Sequence, residues 1–450
     1  MRLHSQGIAH DVRQPVLGKL TSIPIADVQA RRDYVIYRRS EQPDRFQQDA
    51  DGYAAVLMPT AGQSRSLPLP TVEGVSGLDY LEDGDVVYLR PGGAVNVLYR
   101  RSSCHNTVLL TERCNSRCLM CSQPPRIIDD SYRNELILRL IDLIDPATRE
   151  IILSGGEPTL LNDGFLDIVE KFGRALPQTT LLVLTNGRRF NNPTLARNLA
   201  AIKHPDLILG VPLYSDLDTV HDKVVQAPGA YYETIDGLYN LAERGARIQL
   251  RMVLTQQTYR RLPQWADFVY RNLTFVEHVA LMGLEFTGLA RSNWRNVWVE
   301  PSDYGPQLEE ATLSLVLRGV NVSVFNHQLC TLPRAVWPYA AKSISDWKNV
   351  YAEDCSGCGA RLFCGGFFES CVTHARARTV PLPPLSPEAA SALRAITQDE
   401  EGSSNYVGLQ AGARLPCKQH PDYVKCCALP WPLVRPDSVG HPSNGDSASC

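Results

Sequence analysis

From residue 105 onward, short apolar runs alternate with stretches that are apolar only at helical spacing. The segments 107–110, 150–153, 180–184, 207–211, 247–254 and 276–282 are rich in Val, Ile and Leu and read as buried strands. Between them, 134–144, 164–172, 194–202, 231–244 and 262–272 carry their apolar residues on one helical face. Gly245 follows the fourth of these as a helix stop. Six strand–helix units in a row predict a parallel sheet with helices outside it, a partial (β/α)6 barrel. Chemistry in such folds sits at the C-terminal ends of the strands. His221-Asp222-Lys223 reads as a polar loop ahead of the helix at 231–244.

The flanks are patterned differently. Before residue 103, apolar runs at 34–37, 54–58 and 85–89 are punctuated by Asp83-Gly84 and Pro91-Gly92-Gly93, which predicts a small β-rich domain over 1–103. The barrel is expected over 104–300. A further helix at 303–318 and a strand at 321–325 lead into a cysteine-rich region over 301–375. After about 376 the chain turns Pro-rich, with Pro381-Leu382-Pro383-Pro384, a short helix at 388–396, and then a Pro/Ser-rich stretch expected to be a flexible tail.

Composition narrows the function classes. The 450 residues are 44% hydrophobic and 21% charged, as in an ordinary globular chain of two or three domains. Lys and Arg number 45 against 48 Asp and Glu, a net charge of -3, so nothing points to nucleic acid or an anionic membrane surface as partner. No apolar run approaches the ~18 residues of a spanning helix. The N-terminal residues lack an apolar secretory core, so a cytoplasmic location is expected. Thirteen cysteines are many for a reducing compartment. They cluster, as metal ligands do, at 114/118/121, at 330/355/358/364/371 and at 417/426/427.

The first group, Cys114-x-x-x-Cys118-x-x-Cys121, follows the first barrel strand, and Ser154-Gly155-Gly156-Glu157-Pro158 follows the second. Three thiolates on one tight loop can hold three irons of a four-iron cluster and leave the fourth open to a ligand. A zinc site is the competing reading, but structural zinc normally takes four protein ligands. In the second group, Cys355-x-x-Cys358-x5-Cys364 can hold an auxiliary cluster or a zinc ion. Cys330 is the expected fourth ligand and Cys371 the rival.

The spacing of Cys114, Cys118 and Cys121 with the later Gly-Gly-Glu-Pro resembles the radical S-adenosylmethionine (SAM) superfamily. That resemblance implies a [4Fe-4S] cluster held by the three cysteines and SAM, and reductive cleavage of SAM to a 5′-deoxyadenosyl radical. It implies SAM contacts at Gly155, Gly156, Glu157 and Pro158, at Met120 beside the adenine, at Asn186 in Thr185-Asn186-Gly187, and at Ser215 and Arg251, with Tyr214 a further candidate. For Arg251 a structural salt bridge is the alternative. The second cysteine group resembles a SPASM/twitch-like extension with one auxiliary [4Fe-4S] cluster on Cys330, Cys355, Cys358 and Cys364.

The strings Cys121-Ser122-Gln123-Pro124-Pro125, Leu281-Met282-Gly283-Leu284-Glu285, Ser343-Ile344-Ser345-Asp346-Trp347-Lys348-Asn349 and Cys364-Gly365-Gly366-Phe367-Phe368 resemble one narrower group, the His-Xaa-Ser system radical SAM maturases (HxsC). This implies a peptide or protein substrate with His-Xaa-Ser repeats and a second radical SAM maturase as partner. An external electron donor is expected as well. From their position and separate composition, residues 1–103 read as a substrate-recognition domain, with a lid or an oligomer interface as the alternatives. Two other readings remain open: a side-chain oxidase of the sulfatase-maturase kind, and a non-catalytic zinc-binding scaffold.

Overall fold

The structure is a computed structural model that describes residues 3–38, 50–61, 69–342, 350–371 and 382. The expected tail from 376, its helix at 388–396, the cysteines beyond 371 and the string 343–349 lie essentially outside these residues. Among the described residues no helix is long and apolar enough to cross a membrane.

The first sheet has eight strands: β1 (His4–Gln6), β2 (Ile8–His10), β3 (Val16–Thr21), β4 (Tyr34–Tyr37), β5 (Ala55–Met58), β6 (Thr71–Glu73), β7 (Val86–Leu89) and β8 (Ala94–Tyr99). Their order is β1-β8-β7-β3-β4-β5-β6-β2. Only Gly7 separates β1 from β2, so the two ends of the sheet are one continuous strand and the sheet closes on itself. Gly7 makes this possible: a Cβ there would stand 2.6 Å from the Glu73 carbonyl oxygen. The sheet is mixed, with β3-β4-β5-β6 parallel and the other pairings antiparallel. Its inside is filled by Leu20, Val35, Leu57, Val72, Val87 and Val95.

The second sheet is wholly parallel, as its near-continuous apolar strands require. It comprises β9 (Asn106–Leu109), β10 (Glu150–Ser154), β11 (Thr180–Leu184), β12 (Leu207–Pro212), β13 (Arg247–Val253), β14 (His278–Met282), β15 (Asn321–Phe325) and β16 (Ala340–Ala341), adjacent in sequence order. The crossovers carry α1 (Tyr132–Leu143), α2 (Asp163–Ala175), α3 (Pro193–Ala201), α4 (Asp218–Val225), α5 (Ala230–Ala242), α6 (Leu262–Asn272), α7 (Gly288–Ser292), α8 (Trp294–Val297) and α9 (Gly305–Leu317). The six expected units are all present, and two more strands extend the sheet. Strand pairing therefore runs through position 300, because β15 bonds to β14.

The helix-facing sides of the strands (Ile151, Leu153, Val183, Leu209, Leu250, Val279) form one continuous core with the helices. The opposite, concave faces form separate small clusters. One is Ile152, Leu182, Leu184 and Ile208; the other is Ala280, Met282, Phe325 and Ala341. The two sheets meet at α1: Leu17, Val86 and Tyr99 join the helix-side core, and the Tyr99 hydroxyl bonds the Thr148 hydroxyl at 2.7 Å.

One local expectation is corrected. His221-Asp222-Lys223 is not a loop but lies in α4. His221 is buried, and its Nδ1 accepts the Tyr214 backbone N–H at 3.2 Å. Asp222 accepts the Tyr231 N–H at 2.8 Å, which ties the end of α4 to the start of α5.

Candidate active site

The cysteine loop leaves the C-terminal end of β9 and is held from several sides. The Gly-Gly-Glu turn at the end of β10 continues the parallel pairing: Gly156 N–H donates to the Thr111 carbonyl at 2.7 Å and Glu157 N–H to the Arg113 carbonyl at 2.8 Å. A Cβ on Gly155 would stand 2.6 Å from the Thr111 oxygen, and one on Gly156 would stand 2.2 Å from the Arg113 oxygen and 3.0 Å from Cys114 Cβ. The close approach these glycines permit is thus to the cysteine loop itself, where the sequence suggested an approach to a ligand.

The end of α4 holds the middle of the loop, with Arg117 N–H on Val225 O at 3.0 Å and Leu119 N–H on Val224 O at 2.9 Å. The start of α7 holds the third cysteine. Leu289 N–H donates to Cys121 O at 2.8 Å, and Gly288, at φ +54°, leaves only 2.4 Å between a would-be Cβ and that same oxygen. Asn293 Nδ2 donates to Leu119 O at 2.9 Å.

Side chains complete the support. Glu157 is fully buried. Its Oε1 accepts Thr159 N–H (3.0 Å), Thr159 Oγ1–H (2.6 Å) and Thr185 Oγ1–H (2.7 Å), and its Oε2 accepts Asn186 N–H (2.7 Å). Four donors satisfy this carboxylate without a cation, so it locks two strand ends together. Pro158 is the first residue of the short turn that Glu157 caps, and it too is buried. Asn186 Nδ2 donates to Asn115 Oδ1 at 2.6 Å and lies 4.0 Å from Cys114 Sγ. Arg188 donates to Ser116 Oγ at 3.1 Å and to the Asn115 carbonyl, while its Nε bonds Glu233 at 2.6 Å. Beneath the loop, buried Asp130 accepts Thr111 Oγ1–H at 2.9 Å and Glu112 N–H at 2.7 Å.

The three thiols lie close enough for Cys118 to sense both Cys121 and Cys114. Burial pushes Cys114 up to about 11 and Cys118 to about 12, the latter with help from the neighbouring Cys121 and Cys114. Cys121 is raised by burial as well. A metal centre bound here would displace the thiol protons. Met120, between the second and third cysteines, is buried in the helix-side core.

The other expected contacts follow β12 and β13. Tyr214 is buried, and its hydroxyl is pushed well above its ordinary value, first by burial and then by Cys118 and Cys121, with Arg251 opposing. Ser215 is buried and accepts Leu217 N–H at 3.1 Å. Arg251 makes no salt bridge among the described residues. Its guanidinium donates to Gln249 Oε1 at 2.7 Å and to Met282 Sδ at 3.3 Å.

In the second group, Cys330, Cys355, Cys358 and Cys364 line one apolar hollow with Gln328, Tyr351 and Phe367. Backbone N–H groups point at its sulfurs: Gly366 and Leu329 at Cys364 Sγ (3.4 and 3.5 Å), and Leu382 at Cys358 Sγ (3.4 Å). Cys371 lies apart from that hollow. It is buried against Phe286 and Phe368, accepts Phe286 N–H at 3.3 Å and donates to Leu284 O at 3.6 Å. Among the described residues, no three His, Cys, Asp or Glu side chains converge on a single-ion position.

Sequence reasoning missed Arg188, Asn115, Asp130, Gly288 and Asn293. Arg188 lies 72 positions from its Ser116 partner. Its one local signal was its place right after the Thr-Asn-Gly turn at a strand end.

Residues 108–269 match the family model described as the radical SAM superfamily. Among curated proteins, the chain is 29% identical over 171 residues to Fe-coproporphyrin III synthase of Methanosarcina barkeri (36% of this chain, 39% of that one). It is 29% identical over 160 residues to pre-heme d1 synthase of Dinoroseobacter shibae (34% and 37%), and 30% identical over 122 residues to GTP 3′,8-cyclase of Streptomyces coelicolor (25% and 34%). The matches thus span about two fifths or less of these relatives. Among solved structures, Streptococcus suis SuiB bound to S-adenosylmethionine is similar over 50% of this chain and 51% of its own, at 15% identity and TM-score 0.40. The native anSMEcpe structure with bound AdoMet and Cp18Cys peptide is similar over 48% and 62%, at 16% identity and TM-score 0.39. The family match begins on the strand that leads into the cysteine loop and ends on the helix behind the fifth strand, which is the unit that the geometry assembles around that loop: this part of the chain matches the radical SAM superfamily.

Proposed function

We propose that the chain is a radical SAM maturase that modifies a ribosomally made peptide or protein, of the His-Xaa-Ser repeat type. The observation that carries the radical SAM part is the clamped, partly exposed loop of Cys114, Cys118 and Cys121 at the mouth of a parallel barrel. These cysteines would hold a [4Fe-4S] cluster, with SAM beside it. When bound, that pair supplies a carbon radical able to take hydrogen from an unactivated carbon.

The residues of the chain hold and orient. Glu157 fixes Asn186 and Thr185, and Asn186 and Arg188 fix the loop between Cys114 and Cys118. The half-buried Gly155–Gly156 turn, beside the loop, would contact SAM. An auxiliary [4Fe-4S] cluster fits Cys330, Cys355, Cys358 and Cys364, because those four share one apolar hollow and backbone N–H groups already point at sulfur, the arrangement that tunes cluster potential. Cys371 is engaged elsewhere. An external electron donor and a second maturase belong to the same reading. Recognition of a peptide by residues 1–103 would use the outer surface, because among the described residues the first sheet closes on itself and leaves no edge for strand addition.

Iron content tests the cofactor assignment. Anaerobically reconstituted protein is expected to hold about eight irons, and about four after Cys114, Cys118 and Cys121 are all changed to Ala. Zinc in place of iron would return the scaffold reading. For the substrate, mass spectrometry of a His-Xaa-Ser repeat peptide incubated with protein, SAM and dithionite should show a mass change. A second reading, action on a tetrapyrrole, is favoured by the similarity to Fe-coproporphyrin III synthase and pre-heme d1 synthase; unaltered peptide alongside altered coproporphyrin in the same assay would establish it.

A further inference from the structure

The cysteine loop runs between two supports, and exposed cations stand on the loop and on both of them. On one side Arg117 and Leu119 donate their N–H groups to Val225 O (3.0 Å) and Val224 O (2.9 Å) at the end of α4. On the other, Cys121 O accepts Leu289 N–H at 2.8 Å and Leu119 O accepts Asn293 Nδ2–H at 2.9 Å, which brings in α7 and the start of α8. Arg117 of the loop, Lys223 of α4, Arg291 of α7 and Arg295 of α8 are all exposed.

None of the four meets a carboxylate among the described residues. Other arginines at this end of the barrel do: Arg188 pairs with Glu233 at 2.6 Å, Arg261 with Asp216 at 2.9 Å and Arg126 with Glu112 at 3.1 Å. The segments 113–128 and 286–299 contain no Asp or Glu. The two carboxylates of α4 are turned to α5: Asp222 accepts Tyr231 N–H at 2.8 Å, and Asp218 accepts the Tyr232 hydroxyl at 3.2 Å. The dipole of α4 accounts for Lys223 in its last turn. The helices α7 and α8 have five and four residues and little dipole to answer, so Arg291 and Arg295 have no such local reason. The chain as a whole carries a net charge of -3, so the positive excess is local.

An aromatic ring stands among these charges. Trp294 is 40% exposed, and the Arg295 guanidinium lies over it, 5.9 Å from the ring centroid. Trp and Arg are the residues that anchor protein interfaces, and charges of one sign around them steer a partner of the other sign into place. The surface thus suits an acidic macromolecule. Its place decides which kind: the residues that carry it bond the backbone of the cysteine ligands themselves. Leu289, two positions before Arg291, holds the Cys121 carbonyl, and Arg117 adjoins Cys118. A partner seated here comes as near to the three sulfurs as the chain allows from outside the barrel, which is where an electron has to be delivered.

We propose that this cationic surface of Arg117, Lys223, Arg291, Trp294 and Arg295 is the docking face for an acidic one-electron carrier protein. The inference rests on the radical SAM reading, which needs a one-electron reductant from outside the chain. In the docked pair the carrier loses one electron and the centre held by Cys114, Cys118 and Cys121 gains it, with no bond made or broken.

The probe is a fluorescently labelled flavodoxin, an acidic carrier of single electrons, and its binding to the full-length protein is followed by anisotropy. One variant combines Lys223→Glu, Arg291→Glu and Arg295→Glu. A second makes the same change in net charge elsewhere, with Arg13→Glu, Arg32→Glu and Arg197→Glu, all exposed and outside both supports of the loop. Saturable binding to the wild type and to the second variant, weakened tenfold or more in the first variant and by salt raised to about 300 mM, is the expected result. Release of 5′-deoxyadenosine driven by dithionite, which needs no docking, should be the same in all three proteins. No saturable binding to the wild type would overturn the proposal, as would equal weakening in both variants or tighter binding of poly(U) than of flavodoxin. Loss of dithionite-driven release in the first variant would overturn it too, since the surface would then serve the loop and not a carrier. Dithionite-driven release by the wild type tests the radical SAM reading separately, so a failure of docking leaves that reading untouched.

Discussion

The two cysteine sites are built on different supports. The first loop makes a few bonds of its own, such as Ser116 N–H to Cys114 Sγ at 3.4 Å, but most of its support comes from elsewhere. It borrows backbone partners from the turn after β10, from the end of α4 and from the start of α7, and side-chain partners from Asn186 and Arg188. The second site draws its support from the segments that carry its own cysteines: its sulfurs accept N–H groups from Gly366, two residues from Cys364, and from Leu329, next to Cys330, and a bridge between Val350 and Phe367 closes it. A site that must keep one side open for a ligand cannot wrap itself in its own chain, so rigidity has to come from outside. A site whose ligands all come from protein can close around its contents.

This contrast can be broken most severely at the ligands. Cys330→Ala is expected to cost the second site its iron while the first stays loaded, so iron falls by about half. Cys371→Ala should leave iron unchanged. Equal iron loss in both variants would erase the distinction drawn between them.

Gly156→Ala attacks the borrowed support of the first loop. Its methyl group would overlap the Arg113 carbonyl. Overpacking of this kind costs about 1–3 kcal/mol. Urea unfolding should show that loss, and the first site should lose iron before the second. A variant as stable and as fully loaded as wild type would mean that the close approach is unimportant.

Acid sharpens the comparison, because a buried histidine backs each site. Burial lowers His221, behind the first loop, to about 4, and His327, beside the second group, to about 4, with His278 between them at about 3. The unfolded chain takes up these protons near pH 6.5 and the folded chain does not. Stability should therefore be level above about pH 7 and fall as pH drops from 6.5 toward 4, by up to about 1.4 kcal/mol per pH unit for each histidine. Urea midpoints at pH 7.5, 6 and 5 check the sign, and a flat profile would contradict the burial of all three. The smallest effect expected is on the stability of Cys371→Ala, about 1 kcal/mol for its lost hydrogen bonds.

Much of the barrel was legible because the strands 150–153 and 180–184 are unbroken apolar runs bounded by turn residues, which leaves little freedom in placing them. The stretch that forms α4 was not legible. Asp218-Thr219-Val220-His221-Asp222-Lys223 looks polar, and only the fold shows that His221 turns inward under Tyr214. The three cysteines of the first loop stand out by their spacing, since they are local. Their supports could not, because Arg188 and Gly288 reach the loop from distant parts of the chain, and no short-range pattern encodes that meeting. Gly155 and Gly156 were recognised as significant, yet what approaches them belongs to another strand end. Spacing left Cys330 and Cys371 as rivals, and only the three-dimensional packing shows that Cys330 shares a hollow with Cys355, Cys358 and Cys364 while Cys371 lies apart.

The most direct test of the central claim, that the first loop makes this chain a SAM-cleaving enzyme, is 5′-deoxyadenosine release by anaerobically reconstituted protein with SAM and dithionite, beside Cys118→Ala. Release by the wild-type protein and none by the variant is the predicted result. Release of equal size from both, or none from wild-type protein that holds iron at both sites and its peptide substrate, would contradict it.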